Sequence, residues 1–141
     1  MPKTLSIRNQ LPGTVTTITT GEVMATIGIR LTGGQHLTAA ITKESVTALA
    51  LAPGSAVRAL IKSTEVAVAT APMTGLSIRN QLPGTVTTIA MGAAMASVKI
   101  AFEDIELTAA ITKDATADLS LAPGTAVVAL IKSTEVALAT A

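Results

Sequence analysis

The chain has 141 residues, of which 49% are hydrophobic and only 13% are charged, and its formal net charge is +1. So small a charge does not indicate a nucleic-acid partner, and the absence of cysteine excludes disulfides, thiolate metal sites and a cysteine nucleophile. So apolar a composition in a short chain predicts either a membrane protein or an oligomer that buries apolar surface between its subunits.

The first predicted elements belong to a sequence that occurs twice. Residues 5–18 read LSIRNQLPGTVTTI, and residues 76–89 repeat them unchanged. The blocks LTAAITK (37–43 and 107–113) and ALIKSTEVA (59–67 and 129–137) also recur. One residue is missing from the second copy near Gly33-Gly34, where a turn would absorb the loss. The repeat predicts two tandem modules, residues 1–71 and 72–141.

Within each copy the dominant pattern is that of short β-strands. In the first copy, residues 14–19 are all β-branched, residues 23–31 alternate, and residues 37–41, 56–61 and 66–69 complete five predicted strands. Residues 42–51 place Val46 and Leu49 on one helical face, with Thr42 able to cap the first turn. This order predicts an all-β chain of two tandem OB-like five-stranded Greek-key barrel modules, each with one short helix.

The membrane alternative does not agree with the longest uncharged run, residues 80–98. That run is long enough to span a bilayer, but it is rich in Thr and Gly and contains Pro83. The first residues, MPKTLSIRNQLPG, contain no apolar signal-peptide region. We therefore expect a soluble cytoplasmic oligomer without a membrane partner.

A cluster of hydrogen-bond donors is predicted where the repeated blocks begin and end. In an extended segment the side chains of Ser6 and Arg8 point the same way. Lys62 and Ser63 near the end of the module converge with them if the last strands lie beside the first. A positive, donor-rich cluster suits a tetrahedral oxyanion with several acceptor oxygens. The alternative is a solvated surface whose cations pair with acidic residues such as Glu65.

The motifs SIRNQLPGTV, LTAAIT, LAPG and ALIKSTEVALA, in that order, resemble the Mop domain of the molbindins, which are small molybdate-binding proteins. Two consecutive copies cover the whole chain. The resemblance implies an OB-like module and an assembly in which anions lie between subunits. It also implies that the anion is held by hydrogen bonds, without bonds to the metal. Because the family favours a ring of six modules, a two-module chain is expected to form a homotrimer.

The resemblance also implies which residues bind the anion. In the first copy Ser6, Arg8, Asn9, Lys62 and Ser63 would form one side of the site, and Thr42 would approach from a neighbouring module. The second copy keeps all six residue types, as Ser77, Arg79, Asn80, Lys132, Ser133 and Thr112.

The predicted function is reversible binding of molybdate, with tungstate as a close mimic, for intracellular molybdenum storage or homeostasis. No cofactor is predicted, and the metal would be bound only as its oxyanion. No catalysis is expected, because no paired acids lie on one strand and no serine has a repeated histidine partner. A nucleic-acid surface would need stacking aromatic residues, and the chain has one Phe and no Trp or Tyr. Two alternatives remain open, namely a structural scaffold without a ligand and a binder of another oxyanion such as sulfate.

Overall fold

The computed structural model describes residues 5–141, and the first four residues of the predicted first module lie outside it. The two copies contain the same elements in the same order. The first copy forms β1 (Asn9–Thr20), β2 (Met24–Leu31), β3 (His36–Thr42), α1 (Lys43–Ala48), β4 (Ala56–Ile61) and β5 (Ala67–Ala69). The second copy forms β6 (Asn80–Met91), β7 (Met95–Phe102), β8 (Ile105–Thr112), α2 (Lys113–Asp118), β9 (Ala126–Ile131) and β10 (Ala137–Thr140). A single 3₁₀ turn follows β4 and another follows β9, at Ser63–Glu65 and Ser133–Glu135.

Strand β1 begins at Asn9, five residues before its predicted start. The additional residues include Pro12, which lacks the backbone N–H that residues inside a strand donate to a neighbouring strand. Pro12 is paired with Arg58 of β4, whereas pairing with β2 starts only at Gly13. The proline therefore stands where β1 has no ladder partner on its β2 side, and its carbonyl accepts a hydrogen bond from the Thr32 N–H at 3.1 Å.

Both short helices begin directly after the predicted threonine cap, but each is only six residues long, and α1 ends at Ala48, before the end of the predicted segment at residue 51. The Thr42 side chain accepts a hydrogen bond from the Ser45 N–H, and Thr112 accepts one from Ala115, each at 3.1 Å. Such caps satisfy one of the free N–H groups in the first turn. After each helix a residue adopts the left-handed conformation, Ala50 at φ 50° and Ser120 at φ 52°, which stops further helical turns.

The strands form two five-stranded antiparallel sheets that exchange their last strands. The first sheet has the order β10-β4-β1-β2-β3, and the second has the order β5-β9-β6-β7-β8. Strand β5, from the first copy, pairs with β9, while β10, from the second copy, pairs with β4. Each sheet is therefore completed by the other copy. The predicted class, an all-β chain of two tandem five-stranded modules with one short helix each, is confirmed, but the sequence did not reveal this exchange.

The side chains of the two sheets form one continuous hydrophobic core. Its fully buried members include Ile27, Ile29, Leu37 and Ile61 of the first sheet and their counterparts Val98, Ile100, Leu107 and Ile131 in the second. No helix in residues 5–141 is long and apolar enough to cross a membrane. Apolar side chains are exposed at two β-hairpins, where Val23 is 70% and Met91 is 54% exposed.

Candidate functional site

The predicted donor cluster of the first copy surrounds one cavity. Ser6, Ile7, Arg8, Lys62, Ser63 and Thr64 line a space of about 260 Å³. The second copy forms the equivalent cavity of about 250 Å³, which is lined by Ser77, Ile78, Lys132, Ser133 and Thr134. Among the described residues that line these two cavities, none is acidic.

The pairing of the first and fourth strands brings these residues together. Strands β1 and β4 are antiparallel, and Asn9 is opposite Ile61. Residues just before Asn9 therefore lie beside residues just after Ile61, which places Ser6 and Arg8 next to Lys62 and Ser63. The sequence-based argument placed the last strands of the copy beside the first. Strand β4 does lie there, whereas β5 belongs to the other sheet. The same register, with Asn80 opposite Ile131, forms the second cavity.

The Ser63 hydroxyl is a buried polar group of the first cavity that has no hydrogen-bond partner. Its Oγ is buried and makes no hydrogen bond within the described chain. A buried polar group without a partner costs free energy, so such groups are rare unless a ligand, ion or water satisfies them. Arg8 and Lys62, by contrast, are exposed and bring two positive charges to the same cavity. The cavity therefore offers charged and neutral donors to an anion.

Arg79 and the two predicted threonines are placed differently from the rest of the set. Arg79 is exposed but is not among the residues that line the second cavity. Thr42 caps α1 and lies on a separate open depression of about 650 Å³, together with Glu22, Val23 and Glu44. Thr112 caps α2 in the same way. Within one chain, neither threonine lines either donor cavity.

Asn9 and Asn80 connect the two copies. Asn9 is 3% exposed; its Nδ2 donates to the Thr108 carbonyl and its Oδ1 accepts from the Thr108 N–H, both at 2.8 Å. Asn80 makes the reciprocal pair with the backbone of Thr38, also at 2.8 Å. Both polar atoms of each carboxamide thus have a partner on the other copy.

Residues that the sequence analysis did not select also belong to this region. Thr64 and Thr134 line the two cavities, and their signal was the hydroxyl that follows Lys-Ser in the repeated block ALIKSTEVA. No group of three or more His, Cys, Asp or Glu side chains that could hold a metal ion occurs in residues 5–141. The polar side chains that line the two cavities are hydrogen-bond donors, which suit the oxygens of an anion.

Comparison with known proteins gives consistent matches over nearly the whole chain. The chain is 41% identical over 135 residues to the molybdenum transport protein ModE of Azotobacter vinelandii, covering 95% of this chain and 50% of ModE. It is 40% identical over 136 residues to the molybdenum-pterin-binding protein MopA of Rhodobacter capsulatus, covering 95% of this chain and 51% of MopA. The chain thus spans about half the length of these curated relatives.

A solved structure matches both modules together. It is that of the cytoplasmic molybdate-binding protein ModG, in a form with molybdate bound, for which a cooperative binding mechanism has been suggested. ModG is 41% identical to this chain, with a TM-score of 0.94, and the match covers 98% of this chain and 99% of ModG. The resemblance to molybdate-binding Mop proteins is therefore confirmed. The sequence model of the TOBE domain family matches residues 5–68 and again residues 76–138. The chain therefore belongs to this family, as a tandem pair of TOBE domains.

Proposed function

We propose that the chain binds molybdate reversibly in the two cavities at the start of β1 and β6. The observation that carries this proposal is the buried, unpartnered Ser63 Oγ, which lies in a cavity that also contains Arg8 and Lys62 but no acidic residue. The proposal is supported by ModG, a molybdate-binding protein of the same two-module architecture.

Hydrogen bonding alone can account for such binding. Molybdate carries two negative charges at neutral pH, and its four oxygens accept hydrogen bonds. Charge-assisted hydrogen bonds contribute about 1.5–3 kcal/mol each, less the cost of removing the anion from water. A few of them yield about −8 kcal/mol, which corresponds to a micromolar Kd. Tungstate has the same shape and charge and should bind similarly, whereas sulfate is smaller and would leave donors unsatisfied.

The twelve predicted site residues divide into three groups under this proposal. The cavities supply Ser6, Arg8, Lys62 and Ser63 in the first copy and Ser77, Lys132 and Ser133 in the second, with Arg79 turning toward the anion when it binds. We assign Asn9 and Asn80 to the contact between copies, because backbone groups engage both of their polar atoms. Thr42 and Thr112 would reach an anion only from a neighbouring chain.

Assembly as a homotrimer of two-module chains would provide that neighbour. The exposed Val23, Met24, Met91 and Met95 form apolar surface at corresponding hairpins of the two copies. Apolar surface of this kind is characteristic of protein contacts. We expect a cytoplasmic protein that stores or buffers molybdate, without catalysis and without a nucleic-acid partner.

The test is isothermal titration calorimetry with molybdate and then sulfate, with the mass in solution determined by light scattering. Arg8→Ala should weaken molybdate binding at the first cavity, and Arg79→Ala should weaken it at the second. The double variant should weaken binding at both cavities. Arg30→Ala, which removes an exposed arginine on β2, is the matched control. Normal molybdate binding by the double variant would refute the site assignment. Absence of binding and of thermal protection by molybdate would favour a ligand-free scaffold, and tight sulfate binding would favour another oxyanion as ligand.

A further inference from the structure

Two glutamates meet where the copies join. Glu65 ends the 3₁₀ turn after β4, and Glu135 ends the equivalent turn after β9. Two further cavities, each of about 260 Å³, flank this junction, and both glutamates line both of them. The carboxylates of the two copies therefore face a common space instead of pointing away from each other.

The other charged groups in this space are two lysines. Lys62 lines the first junction cavity and Lys132 lines the second. The packed strands contribute only uncharged side chains among the described lining residues, such as Ile41 of β3 and Ile111 of β8. The pKa of Glu65 is raised, first by a hydrogen bond to Glu135, then by the negative charge of Glu135 and to a smaller extent by burial. The positive charges of Lys62 and Lys132 lower the same pKa.

Each lysine lies between the two glutamates and one of the anion cavities. Lys62 lines the first junction cavity and also the cavity of Ser6 and Arg8. Lys132 lines the second junction cavity and also the cavity of Ser77. An anion that binds either ammonium group partly neutralises the positive charge that favours the ionised glutamates. It also brings its own negative charges nearby, so both effects favour a protonated carboxyl.

We propose, on the basis of the proposed function, that Glu65 and Glu135 form a proton-binding pair that couples both anion cavities to pH. Anion binding beside Lys62 or Lys132 promotes the uptake of a proton from solvent. Glu65 holds this proton and donates it in a hydrogen bond to the Glu135 carboxylate. By linkage, a site that takes up a proton with its anion binds that anion more tightly as the pH falls. One carboxyl pair serves both cavities, so both respond to the same proton.

The experiment measures proton uptake together with anion binding on the full chain. Molybdate is titrated calorimetrically between about pH 5.5 and 8, at each pH in two buffers of different ionisation enthalpy, so that the difference in heat gives the protons taken up. The variant carries Glu65→Gln and Glu135→Gln. The control carries Glu103→Gln and Asp104→Asn, which remove two charges from the exposed β7–β8 hairpin. Protonation of molybdate itself contributes equally to all three proteins.

For each anion bound, wild type and control should take up more protons than the glutamine variant, by a fraction of one proton. For each unit fall in pH, the molybdate affinity of wild type and control should rise about two- to threefold more than that of the glutamine variant. Solvent screens this partly exposed pair, so the effect stays below the tenfold limit for one full proton. The glutamine variant should bind molybdate more tightly at pH 8 than wild type. If the variant and wild type take up protons equally and both bind molybdate, the proposed role of the glutamate pair is wrong, but the proposed function stands. Absence of molybdate binding by wild type would overturn the proposed function and this inference together.

Discussion

The carboxamide of Asn9 and the backbone of Thr108 are hydrogen-bonded in both directions at 2.8 Å, although the two residues are 99 positions apart. Asn80 and Thr38 form the reciprocal pair. These four hydrogen bonds join a strand that opens one copy to a strand inside the other. Together with the exchange of β5 and β10, they make the two copies one structural unit.

Asn9→Ala should destabilise the chain by about 1–3 kcal/mol, because it leaves the Thr108 N–H and carbonyl without partners in a partly buried position. Asn80→Ala should have an effect of similar size at Thr38. Urea unfolding measures both free energies. Thr26→Ala, on the exposed side of β2, is the control and should cost no more than about 0.5 kcal/mol. If Asn9→Ala unfolds like wild type, the contact does not hold the copies together.

Ser63→Ala should separate ligand binding from stability. Because the Ser63 Oγ has no partner in the ligand-free chain, its removal should leave the free energy of unfolding unchanged or raise it by up to about 1 kcal/mol. The same change should weaken molybdate binding in the first cavity about tenfold, through one lost hydrogen bond. Ser55→Ala is the matched control: the Ser55 hydroxyl accepts from the Ala52 N–H at 3.0 Å, so its loss should lower stability and leave binding intact. The opposite pattern would show that Ser63 is structural.

The exchange of strands predicts the behaviour of one module alone. A fragment of residues 1–74 lacks β10 as the partner of β4, and its β5 lacks β9. Two copies of the fragment can exchange β5 and restore both pairings. Light scattering should therefore give a mass that is an even multiple of the fragment mass. A stable folded monomer would show that the fifth strand can return to its own sheet.

Gly13→Ala should destabilise the first sheet by steric overlap. An added Cβ would lie 2.8 Å from the Arg30 carbonyl oxygen and 2.8 Å from Ile29 Cγ2, and the backbone oxygen cannot move aside without shifting β2. The expected cost is about 1–3 kcal/mol in chemical unfolding. Thr14→Ala, at the exposed neighbouring position, should cost clearly less. Equal effects would mean that the close approach of β1 and β2 relaxes freely.

Glu65→Gln should raise the melting temperature of the ligand-free chain at neutral pH. The pKa of Glu65 is raised in the folded state, chiefly by Glu135, so the folded chain binds a proton more tightly than the unfolded chain does. Wild-type stability is therefore expected to fall as the pH rises from the unfolded to the folded pKa, and the glutamine variant lacks this loss. Thermal unfolding from about pH 4 to pH 8 should show a difference that grows with pH and then levels off. Glu22→Gln controls for removal of one exposed charge. A difference that is the same at every pH would contradict the pairing of the two glutamates.

The repeat, the strand pattern, the short capped helices and most of the donor cluster could be predicted from local sequence. Alternation of side chains defines a strand wherever it pairs, and the antiparallel register of β1 and β4 places Arg8 beside Lys62. These features depend on short-range preferences and on pairing within one copy. The predicted start of β1 followed the β-branched run from Thr14, whereas the strand also includes Pro12, because the free β2 side at that position accommodates a proline.

The exchange of β5 and β10, the role of Asn9 and Asn80 and the meeting of Glu65 with Glu135 became visible only in the folded chain. The two copies share the blocks that form these contacts, so pairing within a copy and pairing between copies have the same local pattern. The choice between them depends on the core that the two sheets bury together. Such a choice is a property of packing over long sequence separations, which alternation and composition do not encode.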